Sequence, residues 1–282
     1  VFSPSGWLFK LGALDFAGGT VVHANAGAAA LALVLVIGKR RGWPKERMRP
    51  HNLPFVLLGA GILWFGWFGF NAGSALGANT LSAFAFVNTN TATGAAMLGW
   101  LVTEKLRDGH ATTLGAASGA VAGLVAITPA CGFVSPMGSI AIGFAAGVIC
   151  ALATSLKNLF KFDDALDVVG VHLVGGVLGA LLIGFFATKR TNSAGTNGFF
   201  YGGGWGLLSH QAVAVAAVVA YSFIVTYILA FVMEKTVGLR VSEEAERSGL
   251  DLSQHAETAY ESAAYSDGAR FTSAFAGNSG KE

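Results

Sequence analysis

The sequence predicts an all-α polytopic membrane protein, and three observations indicate this fold class. Only 12% of the 282 residues are charged, whereas an ordinary soluble domain carries about 25%. Hydrophobic residues make up 53% of the chain, and the mean hydropathy is +0.58. Four long windows, 53–74, 81–103, 113–130 and 137–156, contain no Asp, Glu, Lys or Arg. This composition excludes an ordinary cytosolic enzyme, a nucleic-acid-binding protein and a disordered chain.

Seven stretches are long and apolar enough to be predicted as transmembrane helices. A helix rises 1.5 Å per residue, so about 20 residues cross the ~30 Å hydrocarbon core of a bilayer. The predicted spans are 14–37, 53–74, 81–103, 113–130, 137–156, 165–187 and 208–233. A polar segment follows the last span. We therefore predict a membrane domain over residues 1–235 and a C-terminal tail over residues 236–282.

The basic residues of the loops indicate how these spans are oriented. The first loop, the alternate loops on the same side and the start of the tail, up to Arg240, together carry twelve Lys and Arg, whereas the opposite side carries only Lys10, Lys189 and Arg190. The positive-inside rule then places the tail in the cytoplasm and Val1 outside. An N-terminus outside the cell needs a signal, and the chain begins with Val rather than Met. We therefore expect a fragment whose first helices are missing.

Two segments of the sequence resemble each other. The run ALDFAGGTVVHANAG at 13–27 is similar to ALDVVGVHLVGG at 165–176. In the predicted orientation, the two segments enter the membrane from opposite sides. Such a pair is typical of an inverted repeat, a fold that places its site near the midplane. Chance similarity between two short apolar stretches is the alternative.

Few titratable side chains lie within the predicted spans, and each is a functional candidate because burying it in a bilayer is costly. They are Asp15, His23, Asp167, His172 and His210. By helix rise, His23 lies about 12 Å from the outer surface and His172 roughly 8–10 Å from the inner one. We predict that these two rings, both neutral because burial disfavours the imidazolium, meet in one pore site. The alternative is that each is a buried histidine bonded to a backbone carbonyl.

Asp15 and Asp167 stand at the starts of their spans, where an acid caps the free N–H groups of the first helical turn. We predict this structural role for both; attraction of cations to the outer mouth is the alternative for Asp15. A metal held by the histidines would need a third ligand, and neither the acids nor Cys131 and Cys150 are spaced to supply one. No metal and no other cofactor is expected.

The second span contains GWFGFNAGS, in which Trp67, Phe70 and Ser74 share one helix face at spacings of three and four. Aromatic faces beside a hydroxyl suit a small ammonium-like cation, which they bind by cation–π contact and hydrogen bonding. An aromatic belt at the membrane surface, or plain packing, is the alternative.

Seven stretches, in order along residues 13 to about 260, resemble the Amt/Mep/Rh ammonium transporter family, most closely its bacterial Amt branch. They are ALDFAGGTVVHANAG, the basic loop ending RPHNLP, GWFGFNAGSA, AFVNT, SGAVAGLVAITPACG, DVVGVHLVGGVLGAL and TVGLRVSEEAERSGLDLSQHAETAY. The resemblance implies eleven spans per protomer of a homotrimer in the plasma membrane, the inner membrane of a bacterium. The seven spans of this chain would be the fifth to the eleventh.

The resemblance also implies roles for individual residues. His23 and His172 match the twin pore histidines, Trp67 matches a pore-lining tryptophan, and Phe70 matches one of two phenylalanines that gate the outer pore. Ser74 matches the hydroxyl of the outer recruitment site. Asp15 and Asp167 match structural acids of the two histidine helices.

The function implied is transport of ammonium, which is recruited at the outer site and deprotonated before ammonia passes the twin histidines. The chain is not expected to be an enzyme. One alternative is an ammonium sensor that acts through its cytoplasmic tail and a PII-type signal protein. An intramembrane metal hydrolase built on the two histidines and Asp15 is another, although HExxH is absent. The last alternative is that the chain is truncated and inactive.

Overall fold

A helix lies over each of the seven predicted spans in the computed structural model, which describes residues 1–46 and 48–258. The last part of the tail predicted over 236–282 lies outside the described residues. In chain order the helices are α1 (Trp7–Leu11), α2 (Gly19–Ile37), α3 (Leu53–Gly73), α4 (Thr80–Asp108), α5 (Thr113–Ile127), α6 (Pro136–Ala153), α7 (Leu156–Phe160), α8 (Val169–Phe186), α9 (Gly206–Thr236), α10 (Glu243–Ser248) and α11 (Leu250–His255). The all-α fold class is confirmed: among residues 1–46 and 48–258 the extended pairing is limited to one bridge, between Val134 and Ala187.

Five helical segments of the described chain are long and apolar enough to cross a membrane. They are Gly19–Ile37, Leu53–Gly73, Pro136–Phe160, Val169–Phe186 and Gly206–Thr236. Helix α5 is apolar but has only 15 residues. Helix α4 has 29 residues but carries polar side chains, and Asn88, Thr89 and Thr93 on it are fully buried. These polar groups face other helices, so the helix is less apolar than its neighbours.

Four consecutive helices, α3 to α6, begin at a polar side chain that accepts a hydrogen bond from the third residue beyond it. Asn52 accepts from Phe55 N at 3.0 Å, Thr112 from Gly115 N at 2.8 Å and Ser135 from Gly138 N at 3.2 Å. Asn79 and Ser82 form a reciprocal capping box at the start of α4. Each cap satisfies an N–H group that the helix leaves unpaired, and so fixes where the helix starts.

Small residues allow α4, α5 and α6 to pack with their backbones close together. A Cβ atom added to Gly123 on α5 would lie 2.7 Å from Ala96 Cβ on α4, and one added to Gly147 on α6 would strike the Ala96 carbonyl. Lipid tails are as apolar as the side chains, so the hydrophobic effect does not bring helices together within a bilayer. The van der Waals energy of such close contact stabilises the packing instead. Of these three helices, α5 and α6 contact α8, and α5 contacts the first turns of α2.

The described chain divides into two compact units, Val1–Met233 and a second that begins at Glu234. In the second unit, Ser242 caps α10 by accepting from Ala245 N at 3.2 Å. Arg240 forms an ion pair of 2.6 Å with Glu246. Local hydrogen bonds therefore hold the described part of the tail in a helical form.

Candidate functional site

The structure brings His23 and His172 together. Their Nδ1 atoms are 3.3 Å apart and their ring centroids 5.4 Å apart. Each ring sits in the first turns of its helix, Gly19–Ala24 or Val169–Leu173, where the backbone widens into a π-helical form. Such π segments are rare and frequently mark functional sites. His23 is 3% exposed, and His172 is partly buried.

The aromatic residues singled out in the second span pack against the histidine pair. The indole of Trp67 stacks on the ring of His23 with centroids 5.2 Å apart and an interplanar angle of 14°. Phe70 contacts both, with centroids 5.2 Å from Trp67 and 6.2 Å from His23. Trp67 is buried, whereas Phe70 is 40% exposed. The rings therefore run from a buried site toward an open side of the molecule.

Ser74 lies one helical turn beyond Phe70, directly after the end of α3. Its hydroxyl donates to the carbonyl oxygen of Phe70 at 2.8 Å. That bond satisfies one of the last carbonyl groups of α3 and leaves the oxygen lone pairs of Ser74 as acceptors.

Thr128 belongs to the site, although it received no role of its own within the stretch SGAVAGLVAITPACG. It is fully buried directly after α5, and its hydroxyl oxygen lies 2.9 Å from Trp67 Nε1 and 3.3 Å from His23 Nε2. His23 therefore bonds two side chains rather than a backbone carbonyl. A threonine at the end of an apolar helix gives no sequence signal, because such residues usually bond their own helix.

Asp15 accepts hydrogen bonds from four backbone N–H groups at the start of α2. The donors are Gly18, Gly19, Thr20 and Val21, at 2.7–3.2 Å. One carboxylate thus satisfies the whole first turn of the helix that carries His23, which is the arrangement of an N-terminal cap.

The cap predicted for Asp167 lies instead on Asp164. The Asp164 carboxylate accepts from Val168 N at 3.0 Å and from Val169 N at 2.7 Å, whereas Asp167 pairs with Lys157 Nζ at 2.6 Å. Aligning the two Ala-Leu-Asp runs pairs Asp167 with Asp15, whereas the residue that caps its helix as Asp15 does is Asp164, three residues earlier. The spacing that the two segments share is an acid eight residues before the histidine, Asp15 before His23 and Asp164 before His172.

Glycines allow α2 and α8 to approach closely beside the two rings. A Cβ atom added to Gly176 would lie 2.7 Å from Ala24 N and 3.1 Å from His23 Cβ. One added to Gly27 would overlap the backbone of Leu173, and one added to Gly19 would overlap the ring of Pro129. The distance between the histidine rings is therefore set by contact between the two backbones.

A cavity of about 220 Å³ lies against His172 and includes the polar side chain of Ser118. The cavity is otherwise lined by Val56, Ala60, Leu63, Ala117, Val121, Leu166 and Val171. Within the described ranges, no three His, Cys, Asp or Glu side chains come together as a metal-binding group. The metal-hydrolase alternative therefore gains no set of ligands from the structure.

The chain belongs to the Ammonium Transporter Family, whose model matches residues 1–260. Family membership and the apolar helices make it part of a multi-pass membrane protein. It is 58% identical over 262 residues to an ammonium transporter of Mycobacterium tuberculosis strain H37Rv, covering 91% of this chain and 55% of that relative.

Solved structures share the fold as well. The crystal structure of Candida albicans Mep2 matches with a TM-score of 0.80 at 39% identity, covering 86% of this chain and 55% of that one. A Sensor Amt Protein matches with a TM-score of 0.80 at 33% identity, covering 90% of this chain and 64% of that one. The chain thus spans between 55% and 64% of the length of these proteins.

Proposed function

We propose that the protein carrying this chain transports ammonium across the membrane, and that ammonia is the species that passes His23 and His172. The observation that supports this most is the contact between these two rings, 3.3 Å apart, in a site walled by glycine, alanine and aromatic side chains. Two neutral imidazoles present polar rings to a small polar molecule without a fixed charge that would trap a cation.

Recruitment and deprotonation would precede that passage. The partly exposed ring of Phe70 and the hydroxyl oxygen of Ser74 would replace part of the hydration shell of ammonium at the outer mouth, with Trp67 deeper in the pore. An unpaired charge that leaves water for an apolar bore pays a far larger desolvation cost than a neutral amine. Losing the proton before the histidines is therefore the cheaper path.

The proposal also covers the orientation of the protein in the membrane, its oligomeric state and its protein partner. The basic loop after α2 would face the cytoplasm together with the tail, in the plasma membrane of a bacterium. The protein would act as a homotrimer in the lipid bilayer, and its cytoplasmic face would be available to a PII-type signal protein. The family match and the similarity to the ammonium transporter of M. tuberculosis support these assignments.

Uptake of ammonium by cells that express the complete protein tests the proposal. His23→Ala and His172→Ala should each abolish uptake or allow K⁺ to compete, because each removes a polar partner from the pore. His110→Ala is the matched control, since His110 is an exposed histidine between α4 and α5. Wild-type uptake and wild-type selectivity in both pore variants would overturn the assigned role.

Sensing is a second candidate, favoured by the match to the Sensor Amt Protein. In that case the pore would bind ammonium, and the readout would be a PII-type protein at the tail. Capture of a PII-type protein by the complete wild-type protein, with and without ammonium, separates the two. Capture that depends on ammonium supports sensing, whereas capture that ammonium does not change, beside normal uptake, favours transport alone.

A further inference from the structure

Thr128 joins three elements at the histidine site. It follows α5, and its hydroxyl oxygen reaches Trp67 on α3 and His23 on α2. The same oxygen lies 2.7 Å from the carbonyl oxygen of Leu124, one helical turn earlier. Both Thr128 and Leu124 are fully buried, so no solvent water replaces any of these bonds.

The hydroxyl hydrogen of Thr128 is committed to Leu124. Helix α5 tightens at its end, where the amide of Thr128 bonds the Val125 carbonyl at 3.3 Å rather than that of Leu124. The Leu124 carbonyl therefore takes its hydrogen bond from the Thr128 hydroxyl. Because a buried carbonyl without a partner is costly, the hydroxyl cannot turn its hydrogen elsewhere without a penalty.

The oxygen of Thr128 is then left with two lone pairs and can only accept. An indole nitrogen is always a donor, so Trp67 Nε1–H occupies one of them. The bond of 3.3 Å to His23 Nε2 requires that this ring nitrogen also carries a hydrogen. In a neutral ring the other nitrogen, Nδ1, is then an acceptor, and the 3.3 Å contact with His172 requires an N–H at His172 Nδ1.

We propose that Thr128 sets the tautomers of both histidines, with hydrogens on His23 Nε2 and His172 Nδ1. The pair then keeps one ring nitrogen with a lone pair that no bond uses, His172 Nε2, and within the described residues no hydrogen bond reaches it. His172 also lines the cavity that contains Ser118, so an acceptor is available on that side. The transport significance of this arrangement rests on the proposed function; the tautomers themselves do not.

With these tautomers, the two sides of the histidine pair differ in their ability to accept a proton. A proton can join it without breaking a hydrogen bond only at His172 Nε2, because both nitrogens of His23 are occupied. On the side of Phe70, the pair offers no lone pair to a cation. Thr128 is thus a positioning residue that keeps His23 from accepting a proton on that side, which favours passage of the neutral molecule.

The experiment is ¹⁵N NMR of the complete protein in membranes with ¹⁵N-labelled histidine, in which protonated and unprotonated ring nitrogens give separate signals. His23→Ala and His172→Ala assign the signals to their rings. In the wild type we expect the unprotonated nitrogens to be Nδ1 of His23 and Nε2 of His172. An unprotonated Nε2 in His23 would overturn the proposal, and this measurement needs no Thr128 variant to fold.

Two variants then test whether Thr128 is the cause. Thr128→Val removes the oxygen at nearly constant shape, and we expect the preference of His23 for the Nε2–H tautomer to fall about tenfold, the effect of losing one buried hydrogen bond. Thr128→Ser keeps the hydroxyl and should restore the wild-type signals. Wild-type signals in a folded Thr128→Val protein would show that another group sets the tautomer and would contradict the proposal.

Uptake measurements on the same variants separate this inference from the proposed function. If the tautomers are as stated but His23→Ala and His172→Ala transport normally, the proposed function fails and the tautomer assignment stands. If the pore variants lose transport but His23 carries its hydrogen on Nδ1, the assignment fails and the proposed function stands.

Discussion

The two histidine helices begin with the same spacing of acid and histidine, yet they satisfy their polar groups differently. Asp15 accepts four N–H groups at the start of α2, and His23 bonds both Thr128 and His172. Asp164 accepts two N–H groups at the start of α8, and His172 borders a cavity. Both ring nitrogens of His23 therefore have a hydrogen-bonding partner, whereas one ring nitrogen of His172 has none among the described residues. Repeating a motif therefore repeats the backbone path but not the hydrogen-bonding state of the ring.

The largest effect is expected from substituting Asp15, which accepts more hydrogen bonds than Asp164. Asp15→Ala would leave four N–H groups without their acceptor, three of them on buried residues, and should lower the free energy of unfolding by about 3–4 kcal/mol. Asp164→Ala removes two such bonds and should cost about 1–2 kcal/mol. Thermal unfolding of both variants in detergent measures the difference. Equal losses would mean that the two starts are equally held, and the contrast between them would be wrong.

Closing the space between the two helices should have the next largest effect. Gly176→Ala places a methyl group 2.7 Å from Ala24 N, so the helices must separate, at a cost of about 1–3 kcal/mol. The matched control is Gly94→Ala on α4, where the new carbon would meet no atom of the described structure within 4 Å beyond its chain neighbours and the backbone of its own helix; it should be stabilising by about 0.5–1 kcal/mol. Opposite signs for the two substitutions in unfolding experiments are the expected result. A Gly176→Ala protein as stable as the wild type would contradict backbone contact between α2 and α8.

An ion pair near the far end of α2 links the two histidine helices and offers a smaller, pH-dependent effect. Asp163 accepts from Arg40 Nη2 at 2.7 Å, from Nε at 2.9 Å and from the Arg40 amide at 2.7 Å. Burial works to raise the pKa of Asp163, but the bonds from Arg40 outweigh it and hold the pKa below its usual value of 3.8.

Because the folded pKa of Asp163 is lowered, its stabilisation is present above pH 3.8 and is lost as the pH falls through the folded value. Arg40→Gln should therefore destabilise the protein by roughly 1–2 kcal/mol at pH 7 and flatten the loss of stability below pH 4. Unfolding curves from pH 7 to pH 3 measure both effects. An unchanged acid limb in the variant would show that the Asp163 pair does not contribute to it.

The smallest effect is expected at the acid that the sequence comparison selected. Asp167 pairs with Lys157, and both side chains are partly exposed, at 33% and 25%. Such a pair contributes about 0–1 kcal/mol, so Asp167→Ala should change the midpoint of unfolding far less than Asp164→Ala. A larger loss at position 167 would restore the original assignment of the cap.

Most of the fold can be predicted from the sequence, because hydropathy and helix rise are enough to place the helices along the chain. The same arithmetic puts His23 and His172 on either side of the midplane, about 8–10 Å apart in depth, and the structure shows the rings in contact. Thr128 could not be found this way, since its role depends on where α5 ends relative to α2 and α3. Asp164 was missed because local similarity favoured the identical Ala-Leu-Asp runs, whereas the cap depends on distance from the helix start.

The glycine contacts between α2 and α8 have a consequence for how the gap at the rings could change. The separation of the helices rests on main-chain atoms at Gly27 and Gly176, and main chain has no rotamers to exchange. Thermal motion of side chains therefore cannot move these two helices apart. Their spacing beside the rings is a property of the backbone, which substitution of the lining side chains leaves unchanged.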